Sequence, residues 1–91
     1  MAGGQNVANV NNLVRTYGKP VMICEFGFFE DEPDITRELL TTVIKGCEAL
    51  PDNQGLGVFY WEPECSPQRY GRGAWQANGR PSPSLDAFAE P

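Results

Sequence analysis

Two segments carry residues whose type and position could do chemistry. The apolar run Val21-Met22-Ile23-Cys24 ends in Glu25-Phe26-Gly27, and a second, Leu56-Gly57-Val58-Phe59-Tyr60-Trp61, ends in Glu62-Pro63-Glu64. The chain has no histidine, which excludes Ser-His-Asp and Cys-His catalysis. Its three cysteines, Cys24, Cys47 and Cys65, are widely spaced and form no C-x-x-C pair, so zinc is not indicated. Cys24, inside an apolar run, and Cys47, on a helix face, are expected to be buried as small hydrophobes. Carboxylate chemistry is what remains.

The elements that must position these carboxylates follow from periodicity. Val7, Val10, Leu13, Val14 and Tyr17 fall at helical spacing and predict a helix over about 7–17, stopped by Gly18. A strand follows at about 20–26, and its unbroken apolar character suits a parallel strand covered on both faces. Pro33 opens a second helix, about 34–49, whose apolar stripe is Ile35, Leu39, Val43 and Cys47, widened by Leu40 and Ile44. Pro51-Asp52-Asn53-Gln54-Gly55 breaks the chain before a second strand at about 56–61. Asn78-Gly79 marks a turn, and Ser82-Pro83 can cap a last helix, about 83–89, bearing Leu85 and Phe88.

The order helix, strand, helix, strand, helix indicates an α/β chain of parallel βα units. Two apolar parallel strands need strand neighbours, and a complete (β/α)8 barrel takes about 250 residues. Residues 1–91 therefore read as the C-terminal portion of a barrel, incomplete alone and expected to aggregate or self-associate. In such a barrel the strand tips build the active site. Strict alternation groups Val21, Ile23 and Glu25 on one face, and Met22, Cys24 and Phe26 on the other. If the first set points inward, Glu25 faces the cleft; otherwise it is a strand-end Glu paired with an Arg. Alternation also groups Gly57, Phe59 and Trp61. Trp61 is then either a stacking floor for a sugar or a core residue. Tyr60 and Glu62 flank it as further candidate binding residues, Glu62 supporting by hydrogen bond or ion pair rather than as a catalyst.

The segment from Gly18 to Gly27, Gly-Lys-Pro-Val-Met-Ile-Cys-Glu-Phe-Gly, resembles the seventh-strand signature of family 53 glycoside hydrolases. Gly57-Val58-Phe59-Tyr60-Trp61-Glu62-Pro63 resembles their eighth-strand signature. Gly79-Arg80-Pro81-x-Pro83-Ser84-Leu85-x-x-Phe88 is similar to their closing turn and helix, and Asn6 to Leu13 to the helix before the seventh strand. The resemblance covers essentially the whole chain, in order. It implies a barrel enzyme that retains anomeric configuration and cleaves internal β-1,4-galactosyl bonds in galactan or type I arabinogalactan. It implies that Glu25 is the nucleophile, that Trp61 lies near the catalytic subsite, and that the acid/base Glu belongs to a fourth strand this sequence lacks. The chain alone is accordingly expected to be inactive.

Other classes are disfavoured. A net charge of −5, with 7 Lys and Arg scattered singly, gives nucleic acid no basic stripe. No apolar stretch is long enough for a membrane span and no signal peptide is visible, although the resemblance implies an extracellular or periplasmic enzyme. Some relatives bind calcium near the eighth strand. Here the loop from Cys65 to Asn78 has no Asp or Glu, so no metal and no cofactor are expected. Glu30, Asp31 and Glu32 read as the solvated start of a helix. Two alternatives stay open: a non-catalytic sugar-binding remnant using Trp61, Tyr60 and Tyr70, and a quarter-barrel that assembles with itself or with a missing partner.

Overall fold

A computed structural model describes residues 2–28, 32–65 and 71–89. Helix α1 spans Ala2–Tyr17, strand β1 Val21–Phe26, helix α2 Pro33–Glu48 and strand β2 Gly55–Tyr60. A short 3₁₀ turn, Pro51–Asn53, precedes β2, and a 3₁₀ helix, Pro83–Ala89, closes the chain. The strands are parallel neighbours, as α/β connectivity through a helix requires. Glu30, Asp31 and Tyr70 lie outside the described residues.

Helix α1 stops where the sequence supplies glycine. Gly18 adopts φ +62° and its N–H donates to the Val14 carbonyl at 2.8 Å. Of the α1 stripe, Val10 and Val14 are buried, whereas Leu13 and Tyr17 face outward. Val10, Val14 and Leu50 form one core cluster, on which Val21 and Ile23 pack. Phe26, Leu39, Leu40, Val43 and Ala87 form the other, joined by Ile23, Phe28, Ile44, Val58 and Tyr60. Ile23 touches both clusters, so α1 and α2 cover the same face of the sheet.

Three expectations shift in detail. Ile35 is 45% exposed while Thr36 is fully buried, so α2 presents a slightly rotated stripe to the core. The closing helix is 3₁₀ rather than α, and at three residues per turn Ser84 and Ala87 face inward, leaving Phe88 outside. Cys24 is exposed rather than buried, since nothing among the described residues covers the sheet face opposite the helices. Cys47 is buried as expected, which pushes its thiol up, and its Sγ lies 3.9 Å from the Gly57 carbonyl.

The ends of the elements are tied by specific bonds. Gln54 holds both strand starts together: its carbonyl accepts from Val21 N–H at 2.7 Å and its side-chain amide donates to the Gly18 carbonyl at 3.1 Å. Asp52 and Asn53 take left-handed φ angles in the turn between α2 and β2, as these residue types tolerate. The Ser82 hydroxyl accepts from Ser84 N–H at 3.3 Å and so caps the closing helix. Among the described residues no helix is long and apolar enough to cross a membrane.

Candidate active site at the strand tips

The tips of β1 and β2 meet directly. Trp61 N–H donates to the Phe26 carbonyl at 2.8 Å, which sets Trp61 beside the segment Glu25-Phe26-Gly27. Gly27 lies close against the other tip. A Cβ there would lie 2.5 Å from the Trp61 carbonyl oxygen and 3.3 Å from that of Arg72. Replacing Gly27 with Ala is therefore expected to push the tips apart at a cost of about 1–3 kcal/mol, read as a fall in denaturation midpoint; an unchanged midpoint would show that the approach is loose.

The way Glu25 reaches its face differs from simple alternation. Ile23 pairs with Val58 and Phe26 with Tyr60, so β1 advances three residues while β2 advances two. This bulge lets Ile23 and Phe26 both pack on the helix-side core, although strict alternation would separate them. The two residues between them, Cys24 and Glu25, are both exposed. Glu25 therefore joins Met22 and Cys24 on the open face, not Val21 and Ile23 as alternation suggested. On β2, Phe59 is 61% and Trp61 48% exposed, while Val58 and Tyr60 pack on the core. Gly57, Phe59 and Trp61 accordingly share the open face, and Glu25 and Trp61 sit at its upper end.

Tyr60 takes a different position from Trp61. Its ring meets Phe26 edge-on, with centroids 6.3 Å apart at 64°, and its hydroxyl donates to the Gly73 carbonyl at 3.1 Å. That bond draws the loop after β2 back over the strand ends. A Cβ on Gly73 would lie 2.7 Å from the Cys65 carbonyl oxygen and 3.2 Å from that of Glu62. Ala74 N–H donates to the Pro63 carbonyl at 2.9 Å, and Ser82 N–H to the Ala74 carbonyl at 2.7 Å. Glu62 is half-buried in this arrangement and follows a cis peptide bond from Trp61; Glu64 is exposed.

The assembled group offers the Glu25 carboxylate and the Trp61 indole ring, held by adjacent parallel strand tips, with Glu62 beside them. A carboxylate so placed can attack an electrophilic carbon or move a proton, and an exposed indole can stack on a sugar face. Among the described residues no three His, Cys, Asp or Glu side chains gather as metal ligands. A cavity of about 250 Å³ between α2, β2 and the closing helix is lined by Ile44, Cys47, Leu56, Val58 and Phe88, with neither Glu25 nor Trp61 in its wall. The structural roles of Gly27 and Gly73 were not foreseen from sequence. The only trace of them is the glycine directly after Glu25-Phe26 and the glycine pair of Gly71-Arg72-Gly73, farther along the loop from Glu64.

No curated protein and no solved structure matches the chain. The family model for glycosyl hydrolase family 53 matches residues 27–88. The match begins just past Glu25 and takes in α2, β2, the Trp61-Glu62 tip, the loop pinned by Tyr60 and the closing helix. It spans about two thirds of the sequence, including the whole β2 side of the candidate site. On that match, this chain belongs to glycosyl hydrolase family 53.

Proposed function

We propose that this chain is the C-terminal part of a retaining endo-β-1,4-galactanase barrel, with Glu25 as nucleophile. The observation that carries the reading is the bulge at Cys24-Glu25, which leaves Glu25 exposed at a parallel strand tip beside Trp61. In a barrel, that is the end at which catalysis takes place.

A retaining mechanism needs two carboxyl groups about 5–5.5 Å apart. Glu25 attacks the anomeric carbon of a galactosyl unit as the acid/base protonates the departing glycosidic oxygen. The glycosyl ester on Glu25 is then opened by water, whose proton returns to the same acid/base. That second carboxyl group belongs to a strand outside these ninety-one residues. Trp61 carries the sugar by stacking, with its neighbour Glu62 available for a hydroxyl of the same unit. Tyr60 serves from behind, because its ring is committed to Phe26 and its hydroxyl to Gly73. That commitment also weighs against a non-catalytic platform built from Trp61, Tyr60 and Tyr70. The substrate in this reading is a polysaccharide, galactan or type I arabinogalactan, met outside the cytoplasm.

Trp61→Ala in an assembled barrel tests the stacking role. Aromatic stacking contributes about 1 kcal/mol beyond burial, and a misplaced sugar can cost up to about a further 10²-fold. A fall of roughly tenfold or more in kcat/KM for linear β-1,4-galactan is expected, with little change in melting temperature because the ring is half exposed. Normal turnover combined with a large loss of stability would instead make Trp61 a packing residue.

A further inference from the structure

The closing segment begins with a hairpin whose tip is Asn78-Gly79. Gln76 N–H donates to the Arg80 carbonyl at 2.8 Å, Gly79 N–H donates to the Gln76 carbonyl at 3.0 Å, and Trp75 bridges Pro81 in the antiparallel sense. Gly79 takes φ +80°, which completes a three-residue loop of the kind that ends in a left-handed glycine. The Asn78 side chain turns back on the same loop, where its Oδ1 accepts from Arg80 N–H at 3.0 Å. Asn78, Gly79 and Arg80 are all exposed, so water reaches the tip. The stem carries the closing helix: Ser82 bonds to the Ala74 carbonyl through its N–H and caps the helix that sets Ala87 in the core.

An asparagine before a glycine is prone to modify itself, because no Cβ on the glycine shields its amide nitrogen. That nitrogen attacks the asparagine Cγ and a new N–C bond forms. The side-chain nitrogen leaves as ammonia, carrying the glycine's amide proton, and a cyclic imide remains. Water then opens the imide at either carbonyl. One product is aspartate; the other is isoaspartate, whose main chain runs through the former side chain and is one methylene longer. Water is the sole co-reactant.

In the folded hairpin both reacting groups are committed. Cyclisation needs the Gly79 nitrogen to lose its proton and the Asn78 Cγ to swing onto it. The proton is held at the Gln76 carbonyl, and the carboxamide is held at Arg80 N–H. We infer that Asn78-Gly79 is a site of isoaspartate formation that the closing hairpin holds shut, the reaction proceeding through local opening of residues 75–81. The glycine that the turn demands for its φ angle is the same glycine that makes the bond reactive. Once formed, isoaspartate does not fit back. Its extra methylene falls between Gln76 and Arg80, where the Gly79–Gln76 and Gln76–Arg80 bonds fix the length of chain. A reversible opening of the closing segment thereby becomes permanent.

The experiment follows the full, reduced chain at mildly alkaline pH, folded in buffer and unfolded in urea, by peptide mapping that separates isoaspartate from aspartate. Asn78 is expected to be the first asparagine modified in urea, since every other asparagine precedes a residue with a side chain. In buffer the reaction at Asn78 should be slower by roughly tenfold or more, because opening must break both hydrogen bonds. Ser82→Ala removes the cap and keeps the reacting pair; it should raise the rate in buffer and leave the rate in urea unchanged. The purified isoaspartate chain should melt below the unmodified one. Asn78→Asp, which keeps an acceptor for Arg80 N–H and adds the same charge, should melt with the unmodified chain. Equal rates in buffer and urea, a faster reaction in the folded chain, or earlier modification of another asparagine would each overturn the inference. So would a Ser82→Ala rate in buffer equal to the parent's, or an isoaspartate chain that melts with the parent. None of these readouts involves a glycoside.

Discussion

Glu25→Gln, in a barrel completed by the missing βα units, should lower hydrolysis of linear β-1,4-galactan by roughly 10³-fold or more. Gln keeps the shape and the exposed position of Glu25 but cannot form the glycosyl ester, so the loss falls on the chemical step and not on folding. The unmodified chain by itself should release no reducing sugar. Help from a positioned general acid alone is typically worth about 10²- to 10⁴-fold, and in the proposed barrel it comes from a strand outside these residues. Supplying the missing units as a separate or fused chain should restore hydrolysis with retention of configuration, followed by NMR of the first-formed anomer. Two results would refute the assignment: steady release by the lone chain that persists in its Glu25→Gln variant, or restored activity indifferent to that substitution.

Leu40→Ala should be the most damaging single change to the fold. Leu40 has no exposed surface and sits between Phe26, Val43 and Ala87, so truncation leaves a cavity where helix, strand and closing turn meet. Such truncations cost about 2–5 kcal/mol. In a domain of this size each kcal/mol moves the melting temperature by about 4–8 °C. A drop of more than about 10 °C in a circular-dichroism melt, or outright loss of structure, is expected. Leu13→Ala, at an exposed position on the neighbouring helix, should change little by comparison. Equal effects at the two positions would mean that the helix-side cluster is not the centre of the fold.

The local signals in the sequence were sufficient for much of this architecture. Gly18 stops α1, Pro33 starts α2, Ser82 caps the closing helix, and the two apolar runs are parallel strands whose tips meet. Each of these depends on one residue type and its immediate neighbours. What the sequence did not disclose depends on counting across elements. The bulge that aims Glu25 has no composition signature, because it exists only relative to the residues of β2 opposite it. Burial of Thr36 in place of Ile35 reflects how α2 rolls against β2, and the choice of Ala87 over Phe88 reflects a three-residue period that patterning does not distinguish from an α-helix. The exposure of Cys24 has a related cause. Whether an apolar residue is covered depends on what stands opposite, which its own segment does not encode.

The bulge also changes which kinds of mutation the site can tolerate. The facing of Glu25 is a matter of parity: an odd number of steps separates Ile23 from Phe26, yet both are anchored on the same side. Substitution at Cys24 leaves that parity intact, whatever side chain is installed. Deleting Cys24 would leave an even two steps from Ile23 to Phe26, so plain alternation would hold both on the helix side with Glu25 between them on the open face. The facing of Glu25 is thus set by its two anchored neighbours, Ile23 and Phe26, and not by what stands between Ile23 and Glu25. Substitution or loss of Cys24 leaves it alone, while a polar residue at Ile23 or Phe26 would loosen the anchor that sets it.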